Sequence, residues 1–239
     1  MRSPAVSKSV PRAAGLVAVL LLSSLPTIVM IAMGPARAEA QSPPVSGASP
    51  SIDSVLGRMA RIQGLHCTYR EEKRIALLTT PVVSEGTIDY ARGATPGAAR
   101  MARRTTRPSR QVVLIDGGEL RMSDGRSTQR IDLASQPVVR SFVDSFLQLL
   151  VGDRAALERT YTIAIETPGE GRWALLLRPR AAPLTQFLRE IRFEGRGDAM
   201  ERMVMTEVSG DTTTTTFAEV DAARRYGDAE ARTVFSLTP

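Results

Sequence analysis

The sequence predicts a mainly β fold with some helix (α+β): a strongly curved antiparallel sheet forming an unclosed β-barrel, with helices as a lid on the concave side. Two observations carry this. From Leu65 to Phe217, ten or eleven short β-type runs are separated by turn formers, with none of the βαβ alternation a parallel sheet requires. A single stretch of helical period, beginning at Pro137, falls between strands, so its helices must fold back on the sheet. That many antiparallel strands in one domain curl into a bent sheet or open barrel.

Taken in order, residues 41–50 are rich in Pro, Ser and Gly and form a flexible leader. Ile52, Val55, Leu56, Met59 and Ile62 then recur at helical spacing, with Ser51 or Asp53 as cap and Gly64 as terminator. Leu65 to Arg70 alternates as a first strand. Leu65, Cys67 and Tyr69 share one face, Cys67 as a small core residue, and His66 sits on the opposite face as a solvated strand residue. The chain is organised around Ser84 to Leu120, three β-type runs divided at Gly93-Pro96-Gly97, at Pro108-Ser109 and at Asp116-Gly117-Gly118. Asp-Gly between apolar runs predicts a tight hairpin, because the primed turn needs φ > 0. Ile88, Tyr90 and Arg92 share one face of the first run.

Leu120 and Met122, a turn at Ser123-Asp124-Gly125, and Gln129 to Leu133 complete this meander. From Pro137 to Leu150 a wide apolar stripe predicts a helix, followed by a short one capped by Asp153. Strands resume at Tyr161–Glu166, Trp173–Leu177, Glu190–Phe193, Met200–Val208 and Thr212–Phe217. The threonine run after Gly210-Asp211 is β-branched and pairs as a hairpin.

The N-terminus stands apart. Arg2, Lys8 and Arg12 precede an almost wholly apolar run at 13–33, and Ala36-Arg37-Ala38-Glu39-Ala40 offers small-residue cleavage sites. Residues 1–40 are therefore expected to be a signal peptide, leaving 199 residues and one domain over 51–239. Its removal takes away Arg2, Lys8, Arg12 and Arg37 and one acid, Glu39, so the net charge falls from +6 to +3. A modest charge, 5% aromatic residues and an export signal together exclude a nucleic-acid reader. Cys67 is the one cysteine, so no internal disulfide forms. No cysteine lies beside the cleavage sites for acylation, so the mature chain is expected to be soluble and not lipid-anchored; a monomer is expected.

Catalytic constellations are missing from the sequence. There is no Gly-x-Ser-x-Gly elbow, His-Glu-x-x-His, phosphate-cradling glycine loop or Cys-x-x-Cys. Acidic residues fall at turns (Asp116, Asp124, Asp153, Asp211) or on strand faces, and Glu71-Glu72, at a strand end, point to opposite sides. With one His and one Cys, a metal site of those residues lacks ligands. No enzyme, metal or cofactor is expected.

The order of several short motifs resembles the LolA/LolB family of periplasmic lipoprotein carriers. The matching segments are Ile62–Tyr69, Ser84-Glu-Gly-Thr-Ile-Asp-Tyr-Ala-Arg92, Thr105-Thr-Arg-Pro108, Ile115-Asp-Gly-Gly-Glu-Leu120, Trp173-Ala-Leu-Leu-Leu-Arg-Pro179 and the closing Phe235-Ser-Leu-Thr-Pro239, which looks like the family's terminal strand. Glu71 stands where the family often has Gln, and residues 93–104 are longer than usual. The resemblance implies an apolar cavity for acyl chains, and an acylated lipoprotein or other lipid ferried from an inner-membrane donor to an outer-membrane acceptor. A lipid-sensing regulator of the envelope, or an acyl-processing enzyme relying on His66, are the alternatives. Candidate lining residues are Ile88, Tyr90, Val112, Leu114, Leu120, Met122, Trp173, Leu175, Leu177, Met203 and Met205, with Phe142, Phe146, Leu149 and Leu150 on the lid. Arg92 falls where the family's arginine ties lid to barrel. Which strand face points inward stays open at this level.

Overall fold

The computed structural model describes residues 50–95 and 98–237. The expected signal peptide and all but the last residue of the leader lie outside them. Helix α1 (Ile52–Arg61) is followed by strands β1 (Gly64–Arg74), β2 (Val82–Ala91), β3 (Arg100–Arg107), β4 (Gln111–Asp116), β5 (Glu119–Ser123) and β6 (Thr128–Asp132). Helices α2 (Pro137–Val151) and α3 (Arg154–Thr160) lead to β7 (Tyr161–Gly169), β8 (Arg172–Pro179), β9 (Leu188–Arg196), β10 (Ala199–Glu207) and β11 (Thr212–Asp221), and α4 (Asp228–Val234) follows.

All eleven strands join one curved antiparallel sheet in the order β6-β5-β4-β3-β2-β1-β11-β10-β9-β8-β7, which does not close into a barrel. Nine of its ten pairings join strands consecutive in sequence; only β1–β11 links distant segments. The sheet is therefore two meanders, β1–β6 and β7–β11, sewn together along β1–β11. Helices α2 and α3 connect the free edges β6 and β7 and lie over the concave side.

Local chemistry fixes the elements. Ser51 caps α1: its hydroxyl accepts from the Ser54 amide at 3.1 Å, while the Ser54 hydroxyl accepts from the Ser51 amide at 2.8 Å. The helix stops at Arg61 and Gly64 opens β1, where a side chain would meet the Arg224 carbonyl. Asp116 and Glu119 pair across Gly117 and Gly118, whose φ values of 58° and 86° make the expected primed turn. Pro137 starts α2, and Gly152 ends it at φ 74°. Asp153 caps α3 by accepting from the Ala156 amide at 2.9 Å.

Two expectations need correction. β1 continues past Arg70 to Arg74, so Glu71 and Glu72 lie inside the strand rather than at its end; β2 pairs with it as far as Lys73 and β11 as far as Arg74. The C-terminal segment is not a strand as far as it is described: α4 carries Phe235 against the outer face of the sheet.

The core divides by face. Beneath the helices, one cluster combines Leu149 and Leu157 with Trp173, Leu175, Leu177, Ile191 and Phe193, and a second combines Val139, Val143 and Leu150 with Tyr90, Ile115, Leu120 and Met122. On the outer face, Ala102, Val112 and Leu114 pack against Ala231 and Phe235.

Candidate functional site

The site is built where α2 crosses the middle of the sheet. Phe142, Val143 and Phe146 recur at helical spacing, so one side of α2 presents them together. Phe142 and Phe146 meet at 6.4 Å between ring centroids with their planes tilted by 42°, and Phe146 meets Phe193 edge-on at 5.9 Å. Between this roof and the sheet lies a cavity of about 90 Å³. Its floor is Ile88 on β2, Met101 on β3, Ile115 on β4, Met203 on β10 and Phe217 on β11. The remaining wall is polar: Glu71, Arg103 and Thr215.

Glu71 is almost fully buried at 3% exposure, and its carboxylate is well satisfied. Arg103 donates to Oε1 at 2.9 Å, Thr215 to Oε2 at 3.1 Å, and Ser84 approaches Oε1 at 3.5 Å. Burial pushes the Glu71 carboxyl above its ordinary range, more than the Arg103 charge and these hydrogen bonds draw it down. Arg103 stacks 4.6 Å over the Tyr69 ring, whose hydroxyl lies 2.8 Å from that of Thr105.

Arg92 ties the lid to the sheet. Its Nε donates to the Ile62 carbonyl at 2.8 Å; its Nη2 donates to Met59 and Leu150 carbonyls at 3.2 and 2.9 Å. One guanidinium thus serves the C-terminal ends of both α1 and α2, where unpaired carbonyls and the helix dipole favour a cation.

The predicted residues separate accordingly. Ile88, Phe142, Phe146 and Met203 line the cavity. Tyr90, Leu120 and Met122 lie under the lid in one core cluster with Leu150, and Trp173, Leu175, Leu177 and Met205 lie in the other with Leu149. Val112 and Leu114 are corrected: they project to the outer face under α4, because β4 pairs Val113 with Met122 and Ile115 with Leu120, which puts those two inward. Sequence reasoning missed Glu71, Met101, Arg103, Ile115, Val143, Thr215 and Phe217. For Glu71 the alternation from Cys67 through Tyr69 runs on along β1 to Glu71 and Lys73, but the charge of these residues masks it.

His66 is on the outer face, its Nδ1 2.8 Å from Asp89 Oδ1, away from the cavity. The Cys67 thiol is pushed up to about 11, by burial first and Asp89 second, so it stays protonated and unreactive at neutral pH. Among the described residues, no three His, Cys, Asp or Glu side chains gather as a metal site, and no helix is long and apolar enough to cross a membrane.

The family model of outer membrane lipoprotein carrier protein LolA-like proteins matches residues 45–237. No curated protein matches the chain. Among solved structures, a chain of the Pseudomonas aeruginosa MucA/MucB complex is similar at 19% identity over 74% of this chain and 59% of that one, with a TM-score of 0.45. A DUF1329 family protein from Desulfovibrio piger is similar at 11% identity over 77% and 94% of the two chains, TM-score 0.46. The LolA superfamily protein NE2245 from Nitrosomonas europaea is similar at 13% identity over 77% and 97%, TM-score 0.40. The chain thus spans only 59% of the length of the MucA/MucB chain it matches. The family match spans all the described residues, and the chain belongs to the outer membrane lipoprotein carrier protein LolA-like family.

Proposed function

We propose that this protein is a non-enzymatic periplasmic carrier that shields the acyl chains of a lipoprotein or other acylated lipid and passes it from an inner-membrane donor to an outer-membrane acceptor. The observation that supports this reading is the apolar cavity roofed by Phe142 and Phe146 on a helix whose end Arg92 holds.

The energetics suit such a task. Each methylene removed from water contributes about 0.8 kcal/mol, so one long chain supplies on the order of 10 kcal/mol before the costs of association. At about 90 Å³ the cavity is smaller than the ~300 Å³ at which ligand pockets begin, so a chain enters only when Phe142 and Phe146 swing away from the floor. Met101 and Met203 in that floor are unbranched and adapt to irregular chains. Release then follows if the acceptor binds the chain more tightly or the phenylalanines reoccupy the groove.

The test is native mass spectrometry of the mature protein purified from periplasm, followed by solvent extraction. A co-purifying acylated species, or binding of added long-chain lipid, is the expected result. A clean protein mass together with no binding of added lipid would overturn the reading.

A further inference from the structure

Under the lid, the inner face of the sheet changes character along the strand direction. β1 presents Leu65, Cys67 and Tyr69, then Glu71 and Lys73. Its neighbours change at the same level: β2 goes from Tyr90 and Ile88 to Ser84, and β11 from Phe217 to Thr215 and Thr213. The register aligns them, with Glu71 opposite both Ser84 and Thr215 and Lys73 opposite Thr213. From β3, Arg103 reaches across to Glu71, while Met101 stays with the apolar half. A sheet serving only hydrocarbon would have no use for a buried lysine, a partly buried arginine and a buried carboxylate, since each costs desolvation.

We infer that the groove takes an amphiphile with an anionic head, a carboxylate or phosphate on a long chain, whose head binds Arg103 in place of the Glu71 carboxylate while its chain lies along Ile88, Met101 and the α2 phenylalanines. This deepens the proposed lipid-carrier function and rests on it. The charges argue for exchange rather than simple addition. Arg103 pairs with Glu71, and Lys73, 2% exposed, pairs with Glu207 at 3.0 Å, so the polar half is balanced. An incoming anion therefore leaves one negative charge in excess unless a carboxylate takes a proton from water. Glu71 is the group placed to do so, because burial already favours its neutral form. No charge faces it from α2, which contributes Phe142, Val143 and Phe146 to the cavity. The Thr213 hydroxyl, fully buried beside Lys73 and without a partner, supplies a further donor on the polar half.

The experiment titrates the mature protein with oleate, methyl oleate and oleoyl lysophosphatidic acid, three ligands sharing one chain. At least one of the two anions is expected to bind about tenfold or more tightly than the ester, the difference a charge-assisted hydrogen bond supplies. Preference for oleate alone identifies a carboxylate, and for lysophosphatidic acid alone a phosphate. Arg103→Gln is expected to erase the preference, so that within this variant the anions bind no more tightly than the ester. Glu71→Gln is expected to remove the loss of anion affinity on raising the pH. Equal binding of all three by the unaltered protein overturns the head-group site and leaves the carrier reading standing; this comparison needs no variant to fold. A preference that survives Arg103→Gln overturns the assignment to Arg103. Binding of none of the three overturns both.

Discussion

Replacing Arg92 by Ala isolates the contribution of the lid tie. The guanidinium donates to three main-chain carbonyls, those of Met59, Ile62 and Leu150. A hydrogen bond from a charged donor contributes about 1.5–3 kcal/mol net. The three do not add, because Nη2 is shared between two acceptors and the Met59 carbonyl also accepts from the Ile62 amide at 3.0 Å. A loss of about 2–4 kcal/mol is therefore expected, corresponding for a domain of this size to a fall in Tm on the order of 10 °C. Arg92→Lys keeps the charge but reaches fewer carbonyls, so it should recover only part of the loss. Hydrogen exchange adds the spatial readout: amides of Pro137–Val151 should exchange faster in Arg92→Ala, and those of β7–β11 much less so. A Tm within about 1 °C of the parent, with α2 protection intact, would refute the reasoning.

Three further outcomes are expected. Gly152→Ala should destabilise by about 2 kcal/mol or more, read by urea unfolding, since Gly152 has φ 74° and an added Cβ would lie 2.3 Å from the Leu56 carbonyl oxygen; a neutral effect would mean α1 and α2 can separate there freely. Phe146→Glu should weaken oleate binding roughly tenfold by putting a charge in the apolar roof, with far-UV circular dichroism unchanged; undiminished binding would remove the roof from the site. The Glu71 carboxyl is raised above its ordinary value of 4.5, so the folded chain keeps that proton to higher pH than the unfolded chain. Its contribution is thus greatest below about pH 4 and declines as pH rises through the folded value, so the Tm of the parent minus that of Glu71→Gln should fall over this range. A difference that is flat or rises would contradict the burial argument. Carboxylates lowered by arginines, such as Glu166 beside Arg192, act oppositely but cancel in that difference.

The antiparallel strands and the place of the lid segment were legible because their signals are local: turn glycines, alternation, and a change of period at Pro137. The face of β4 was not. Gln111–Asp116 contains the unbroken run Val-Val-Leu-Ile, and both of its faces are covered, by α2 within and by α4 with Phe235 without. No polar residue breaks the tie, so only pairing with β5 decides that Val113 and Ile115 point inward. Glu71 and Arg103 were hidden for the opposite reason. Charged residues in strands ordinarily face water, and their partnership joins β1 to β3 across β2, a contact no sequence spacing encodes. The tie at Arg92 had been expected from family resemblance alone; nothing in the local sequence announces the carbonyls of two helix ends.

The two-meander construction has a mechanical consequence. The segment carrying α2 and α3 is the one covalent link between the meanders, and its ends are fixed to β6 and β7, the opposite free edges of the sheet. It behaves as a strap buckled at both ends, unable to swing open about a single pivot. Lifting Phe142 and Phe146 requires either that the strap bow outward or that the two leaves spread about the β1–β11 seam. Shortening the segment at Leu133–Gln136, before α2, would then stiffen entry and exit together, and lengthening it would loosen both without touching a residue of the groove.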